Sequence, residues 1–281
     1  MNSLADNSAM KSYSFDLWLA FPGDLADPVA EEACTAILDD AERVRAGRFR
    51  FDRHRREFLA THALARVALS HAHPLPPQSW RFSANKYGKP SPVPECGLRF
   101  NQSNSVELAV CVVSKFDACP GVKNGANAAE VGVDVESFTR AGEILPLAAR
   151  VFSEAERAQL DALSAAARPD RALSLWTLKE AYIKARGMGL SLPLREISFL
   201  FDGPQAIRFE AAPEVDDNPA RWRFCQFDRA GHRIALAVEA TAAGAFEAFE
   251  ARPPLGPPAR LNLESPVWFP VSAQTDGAHW F

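Results

Sequence analysis

The sequence predicts an α+β protein made of two similar α/β-type halves and closed by a proline-rich tail. Three observations carry that reading. The chain has 281 residues, and at ~150 residues per domain that is about two domains. Strand-like and helix-like runs follow one another in the same order twice, and RFRF ahead of a helix in the first half is weakly echoed by RVF ahead of one in the second. The last 31 residues carry Pro253, Pro254, Pro257, Pro258, Pro266 and Pro270, a density that excludes helix and resists sheet. These observations place an N-terminal half at 13–125, a C-terminal half at 126–245 and an extended tail at 246–281.

Each element has a local cause. Residues 14–21 (SFDLWLAF) are aromatic-rich and read as a strand. Residues 29–46 read as one helix with polar ends. Residues 43–56 hold seven arginines and a single acid, Asp52. Phe58, Leu59, Ala63 and Val67 then recur at helical spacing, and the prolines of 73–77 end that helix. Strands follow at 80–83, 98–101 and 108–113, with turn chemistry at Tyr87-Gly88-Lys89-Pro90. Residues 116–130 are rich in Gly, Asn and Ala and read as the loop joining the halves.

The second half opens on a strand at 130–137. Ser153 and Glu156 have the spacing of a capping box, in which each side chain satisfies the other residue's free N–H. A longer helix spans 171–186 and stops at Gly187, with Lys184 and Arg186 in its last turn. Strands are expected at 197–201, 207–211, 222–227 and 234–239.

Charge and composition exclude several classes. Lys plus Arg is 31 and Asp plus Glu is 35, a net charge of −4, so nothing pulls the whole chain toward nucleic acid or an anionic membrane. No apolar run approaches the ~18 residues of a membrane span. The first dozen residues carry Asp6 and no apolar stretch, unlike a signal peptide. Five scattered cysteines without C-x-x-C spacing point away from disulfides and zinc and toward a reducing cytoplasm.

Three clusters carry chemistry. On a strand over 131–136, Val131, Val133 and Val135 face one way, and Gly132, Asp134 and Glu136 the other. The two carboxylates then lie ~7 Å apart. They are either ordinary solvated acids or a cation site. On the second helix, Trp176, Glu180 and Lys184 line one stripe. Glu180 and Lys184 read as a surface pair, or, because the helix is apolar on most sides, as groups that meet a ligand. The arginine-rich segment, with Lys89 and the Asn101–Ser105 run, is either a solvated basic helix start, an RNA-binding arm, or a phosphate grip. Together the three suggest a polyphosphate ligand with a divalent ion.

V-G-V-D-V-E at 131–136, followed about 40 residues on by W-T-L-K-E-A-Y-I-K-A-R-G-M-G-L, resembles the 4′-phosphopantetheinyl transferases of the surfactin-synthetase-activating type. The likeness extends to R-F near 48, Y-G-K-P at 87–90, F-S-E-A-E at 152–156 and G-L-S-L-P-L at 189–194, and spans roughly residues 14–245. It implies a monomer of two pseudo-symmetric subdomains with coenzyme A in the cleft between them. It implies transfer of the 4′-phosphopantetheine arm to a serine of an apo acyl- or peptidyl-carrier protein, releasing adenosine 3′,5′-bisphosphate. By the same likeness Asp134, Glu136 and Glu180 would hold Mg²⁺, with Mn²⁺ as an alternative. Glu180 would also help deprotonate the incoming serine, directly or through water. Lys184 would bind phosphate and offset charge as the P–O bond breaks. Arg45, Arg56, Lys89 and Ser103 would contact the coenzyme A phosphates or the adenine ribose. Asn104 stands where the family usually has histidine. A charged hydrogen bond contributes ~1.5–3 kcal/mol and a neutral one ~0.5–1.5, so the likeness implies weaker coenzyme A binding here. Nucleic acid and membranes are not expected partners.

Overall fold

The computed structural model describes residues 12–117, 128–203, 206–239, 245–251, 259–261 and 268–269. The first element among the described residues is β1 (Ser12–Ala20), whose alternate residues serve two cores. Tyr13, Phe15, Leu17 and Leu19 face one, and Trp18 and Ala20 face the other. The helix expected over 29–46 is two helices, α1 (Pro28–Ala36) and α2 (Asp40–Ala46). The break is a capping box: the Asp39 carboxylate accepts from the Glu42 N–H, and the Glu42 carboxylate accepts from the Asp39 N–H.

Helix α3 (Asp52–Ala72) begins inside the arginine-rich segment and buries Leu59, Ala63, Leu64 and Leu69. A hairpin of β2 (Arg81–Ala84) and β3 (Pro90–Val93) follows, then the antiparallel pair β4 (Leu98–Ser105) and β5 (Leu108–Asp117). Most of the expected joining loop, 118–127, lies outside the described residues.

The second half has the same order of elements. It opens on β6 (Val131–Ser137), passes through the short helices α4 (Ala141–Ile144) and α5 (Ala148–Val151), and continues into α6 (Glu154–Asp161). The Ser153–Glu156 capping box is present. Helix α7 (Arg168–Arg186) ends at Gly187 in the left-handed conformation (φ 62°), the conformation a residue without Cβ adopts most readily. A hairpin of β7 (Ile197–Gly203) and β8 (Ala206–Ala211) leads to the antiparallel pair β9 (Trp222–Arg229) and β10 (His232–Glu239).

The segment from 246 corrects the expectation of a tail that resists sheet. β11 (Ala245–Glu250) pairs in parallel with β1, and β12 (Ala259–Leu261) pairs with β11. β13 (Trp268–Phe269) pairs with β9. The prolines bracket these short strands at positions outside the described residues, and Trp280 lies outside them too.

The sheets have the orders β12-β11-β1-β5-β4 and β13-β9-β10-β6. Between them lies an aliphatic core that includes Leu17, Val110, Val112, Val133, Val135, Ile234 and Leu236. Helix α3 covers the far face of the first sheet, with Trp18 and Trp80 in that core. Helix α7 covers the far face of the second, with Tyr182, Phe199 and Phe224. The layers therefore run helix, sheet, sheet, helix. Among the described residues no helix is long and apolar enough to cross a membrane.

Candidate active site

The site forms where edge strand β4 of the first sheet meets edge strand β6 of the second. No ladder joins them; side chains do. The Asn101 Oδ1 accepts from the Val133 N–H at 2.9 Å, and the Ser105 Oγ accepts from the Ser137 N–H at 3.0 Å. Asn101, Ser103 and Ser105 alternate along β4, so all three reach β6. This satisfies edge donors that burial would otherwise leave unpaired.

On β6 the face carrying Gly132, Asp134 and Glu136 is turned to α7. A Cβ on Gly132 would stand 2.0 Å from the Ala181 carbonyl oxygen and 2.4 Å from the Ala185 nitrogen. The glycine lets the helix lie directly against the strand. Its role is closer helix approach.

That contact brings α7's polar stripe onto Asp134. The Lys184 Nζ donates to Asp134 Oδ1 at 2.6 Å and to the Ser103 Oγ at 2.7 Å. The Ser103 hydroxyl donates to the same Asp134 oxygen at 3.1 Å. The other oxygen, Oδ2, is buried and has no hydrogen-bond partner. Glu180, one turn before Lys184, is half-buried. Burial, reinforced by the charge of Asp134 and opposed by Lys184, pushes its carboxyl up to about 7.

Glu136 is differently placed. The Arg140 guanidinium donates to both of its oxygens at 2.6 Å, the Trp176 indole N–H to Oε1 at 3.1 Å, and the Ser105 hydroxyl to Oε2 at 3.4 Å. Burial, and secondly the charge of Asp134, raise its pKa.

The structure thus gathers Ser103, Asp134, Glu136, Glu180 and Lys184 from both halves. The other expected residues lie apart. The Lys89 ammonium donates to Glu130 at 2.5 Å, to the Ala185 carbonyl at 2.6 Å and to the Val131 carbonyl at 3.4 Å, tying the β2–β3 hairpin to the end of α7. Burial lowers its pKa. Arg45 is exposed on α2, its guanidinium 5.1 Å from the Phe58 ring centroid. Arg56 is half-buried in the second turn of α3. Asn104 is exposed and points to the opposite side of β4 from Ser103 and Ser105. Sequence reasoning had Asn101 and Ser105 in a candidate phosphate grip, where the structure uses them to pin β4 to β6, and it missed Arg140. The alternation N-x-S-x-S was the signal for that pin, but only a partner strand gives it meaning.

Asp134 and Glu180 suit a hard divalent ion chemically: Mg²⁺ takes one or two carboxylates and fills the rest with phosphate and water oxygens. The orphaned Asp134 Oδ2 fits that donor set. Among the described residues no three carboxylate, histidine or cysteine side chains are gathered into a ready metal cage.

The description "4′-phosphopantetheinyl transferase superfamily" attaches to a family model matching residues 130–237. The 4′-phosphopantetheinyl transferase HetI of Nostoc is 29% identical over 74% of this chain and 82% of its own length. The transferase Sfp of Bacillus subtilis is 30% identical over 59% of this chain and 68% of its own. A further Bacillus subtilis transferase, ffp, is 33% identical over 61% and 71%. A solved holo-[acyl-carrier-protein] synthase of Thermotoga maritima overlaps 40% of this chain and 64% of its own, with a TM-score of 0.33 and 20% identity, too faint a likeness to carry an argument. The chain belongs to the 4′-phosphopantetheinyl transferase superfamily and is an enzyme of the transferase class.

Proposed function

We propose that this enzyme moves the 4′-phosphopantetheine arm of coenzyme A onto a serine of an acyl- or peptidyl-carrier protein, with Mg²⁺, releasing adenosine 3′,5′-bisphosphate. The observation that supports this most is the convergence of Asp134, Glu180, Lys184 and Ser103 at the seam between the halves. Transfer at phosphorus needs positioning and charge neutralisation more than covalent help.

Asp134, through its free oxygen, and Glu180 would hold Mg²⁺, or Mn²⁺ in its place, and Glu136 would join them only by giving up Arg140. The bound ion would supply neutralisation of the diphosphate. Lys184 and the Ser103 hydroxyl are placed to shift from Asp134 to a phosphate oxygen. The serine oxygen of the carrier attacks the phosphorus that bears the pantetheine arm, and the bond from that phosphorus to the bridging oxygen breaks. Glu180 accepts the serine proton, directly or through water. The electron pair leaves with the adenosine bisphosphate, whose growing charge Lys184 offsets. Arg45, Arg56, Lys89 and Asn104 are proposed coenzyme A contacts, Lys89 only by exchanging Glu130 for the ligand. The matching element order of the halves supports a pseudo-symmetric fold. A cytoplasmic monomer acting without nucleic acid or membrane completes the proposal.

The test is mass spectrometry of a panel of apo carrier proteins incubated with enzyme and coenzyme A, with and without Mg²⁺. The expected result is a gain equal to one phosphopantetheine arm, dependent on the ion and lost in Asp134→Ala and Glu180→Gln. Full transfer by either folded variant would refute the site assignment.

A further inference from the structure

Resting on that reading, we propose that Asn85 is a positioning residue: it hooks the β2–β3 turn of the first half onto the end of α7 in the second, and so sets the hairpin that meets coenzyme A in register with Lys184. A helix end leaves its last carbonyls without partners inside the helix. At the end of α7 two carbonyls are satisfied from the opposite half. The Asn85 Nδ2–H donates to the Gly187 carbonyl at 2.8 Å, and the Lys89 ammonium to the Ala185 carbonyl at 2.6 Å. Ala185 directly follows Lys184 in the chain. The same asparagine shapes the turn that carries it. Its Oδ1 accepts from the Tyr87 N–H at 2.9 Å and from the Lys89 N–H at 3.0 Å. Its backbone N–H donates to the Lys89 carbonyl at 3.0 Å, and its carbonyl accepts from the Gly88 N–H at 2.9 Å. One side chain therefore fixes the turn with its oxygen and the helix with its nitrogen. Gly187 completes the fit. A Cβ there would stand 2.6 Å from the Lys89 Cδ and 3.2 Å from the Asn85 Nδ2, so the turn lies against bare backbone. Asn85 itself is exposed, which puts its contribution in the alignment of the halves and not in a core.

The test is steady-state transfer to a carrier protein by the intact chain, with kcat separated from KM for coenzyme A and melting followed by circular dichroism. Asn85→Asp keeps the acceptor oxygen that folds the turn and exchanges the donor that reaches Gly187 for a second acceptor. It is expected to melt within a few degrees of the parent, to hold KM within about twofold, and to lose kcat about tenfold, because misalignment at reacting groups is felt in the rate. Gly187→Ala forces the same contact open from the other side and is expected to lower kcat by a like factor. The double variant is expected to lose about tenfold in total and not about a hundredfold, since both changes break one contact. An unaltered kcat in Asn85→Asp overturns the proposal, and so does a loss of about a hundredfold in the double variant. An Asn85→Asp chain that does not fold overturns it as well, since the residue would then be structural. A parent enzyme that transfers to no carrier protein fails before any substitution is made; it overturns the transfer reading, and this proposal with it.

Discussion

Gly132→Ala tests whether the seat of α7 on β6 sets the chemistry. The added methyl would stand 2.0 Å from the Ala181 carbonyl oxygen, against an ordinary contact of 3.4 Å or more. The clash is with backbone on both sides, so no side chain can swing aside. Restoring contact requires α7 to retreat from the strand by about 1.4 Å, and overpacking of this kind costs roughly 1–3 kcal/mol or more. The same retreat carries Lys184 away from Asp134, now 2.6 Å apart, and Glu180 with it. A misplacement of about 1 Å at a reacting group lowers rate on the order of 10²-fold. The expected result is a chain that melts several degrees lower yet still folds, with transfer to a carrier reduced about a hundredfold, followed by mass spectrometry and by calorimetry. A variant with unaltered melting and unaltered transfer would show that the helix does not rest where these distances place it.

Further outcomes follow from other groups. Lys179→Met strands the Glu156 carboxylate, now 2.8 Å from the lysine and shut off from solvent; the expected loss is about 3–5 kcal/mol in urea unfolding, and a loss below about 1 kcal/mol would contradict that burial. In metal-free protein the folded chain keeps a proton on Glu180 up to about pH 7, whereas an unfolded carboxyl releases it near 4.5. Stability should therefore fall as pH rises between those values, and Glu180→Gln should flatten the fall; parallel melting curves for the two proteins across that window would count against it. Asn104→His is expected to tighten coenzyme A binding about fivefold, the difference between a charged and a neutral hydrogen bond, and a titration showing flat or weaker affinity would remove residue 104 from the binding surface.

What was legible in the chain was whatever is decided locally. The Ser153–Glu156 box, the αL stop at Gly187, and the alternation that turns Asp134 and Glu136 away from Val133 all stand as the spacing indicates. One local signal was overlooked: Asp39 and Glu42 have the capping-box spacing that divides α1 from α2. The rest depends on partners far along the chain. The alternation of Asn101, Ser103 and Ser105 is polar noise until β6 lies beside it. Lys89 reads as a free cation until Glu130 and the carbonyls of α7 and β6 surround it. The strands beyond 245 are short and proline-flanked, and only the open edges of β1 and β9 make them strands.

The parallel pairing of β1 with β11 has a temporal side. β1 finds one neighbour, β5, within its own half, but its other neighbour is translated more than two hundred residues later. Until then the Leu17 and Trp18 strand has an open flank. An open edge of this kind is a template for pairing with another chain, and the arrival of β11 closes it.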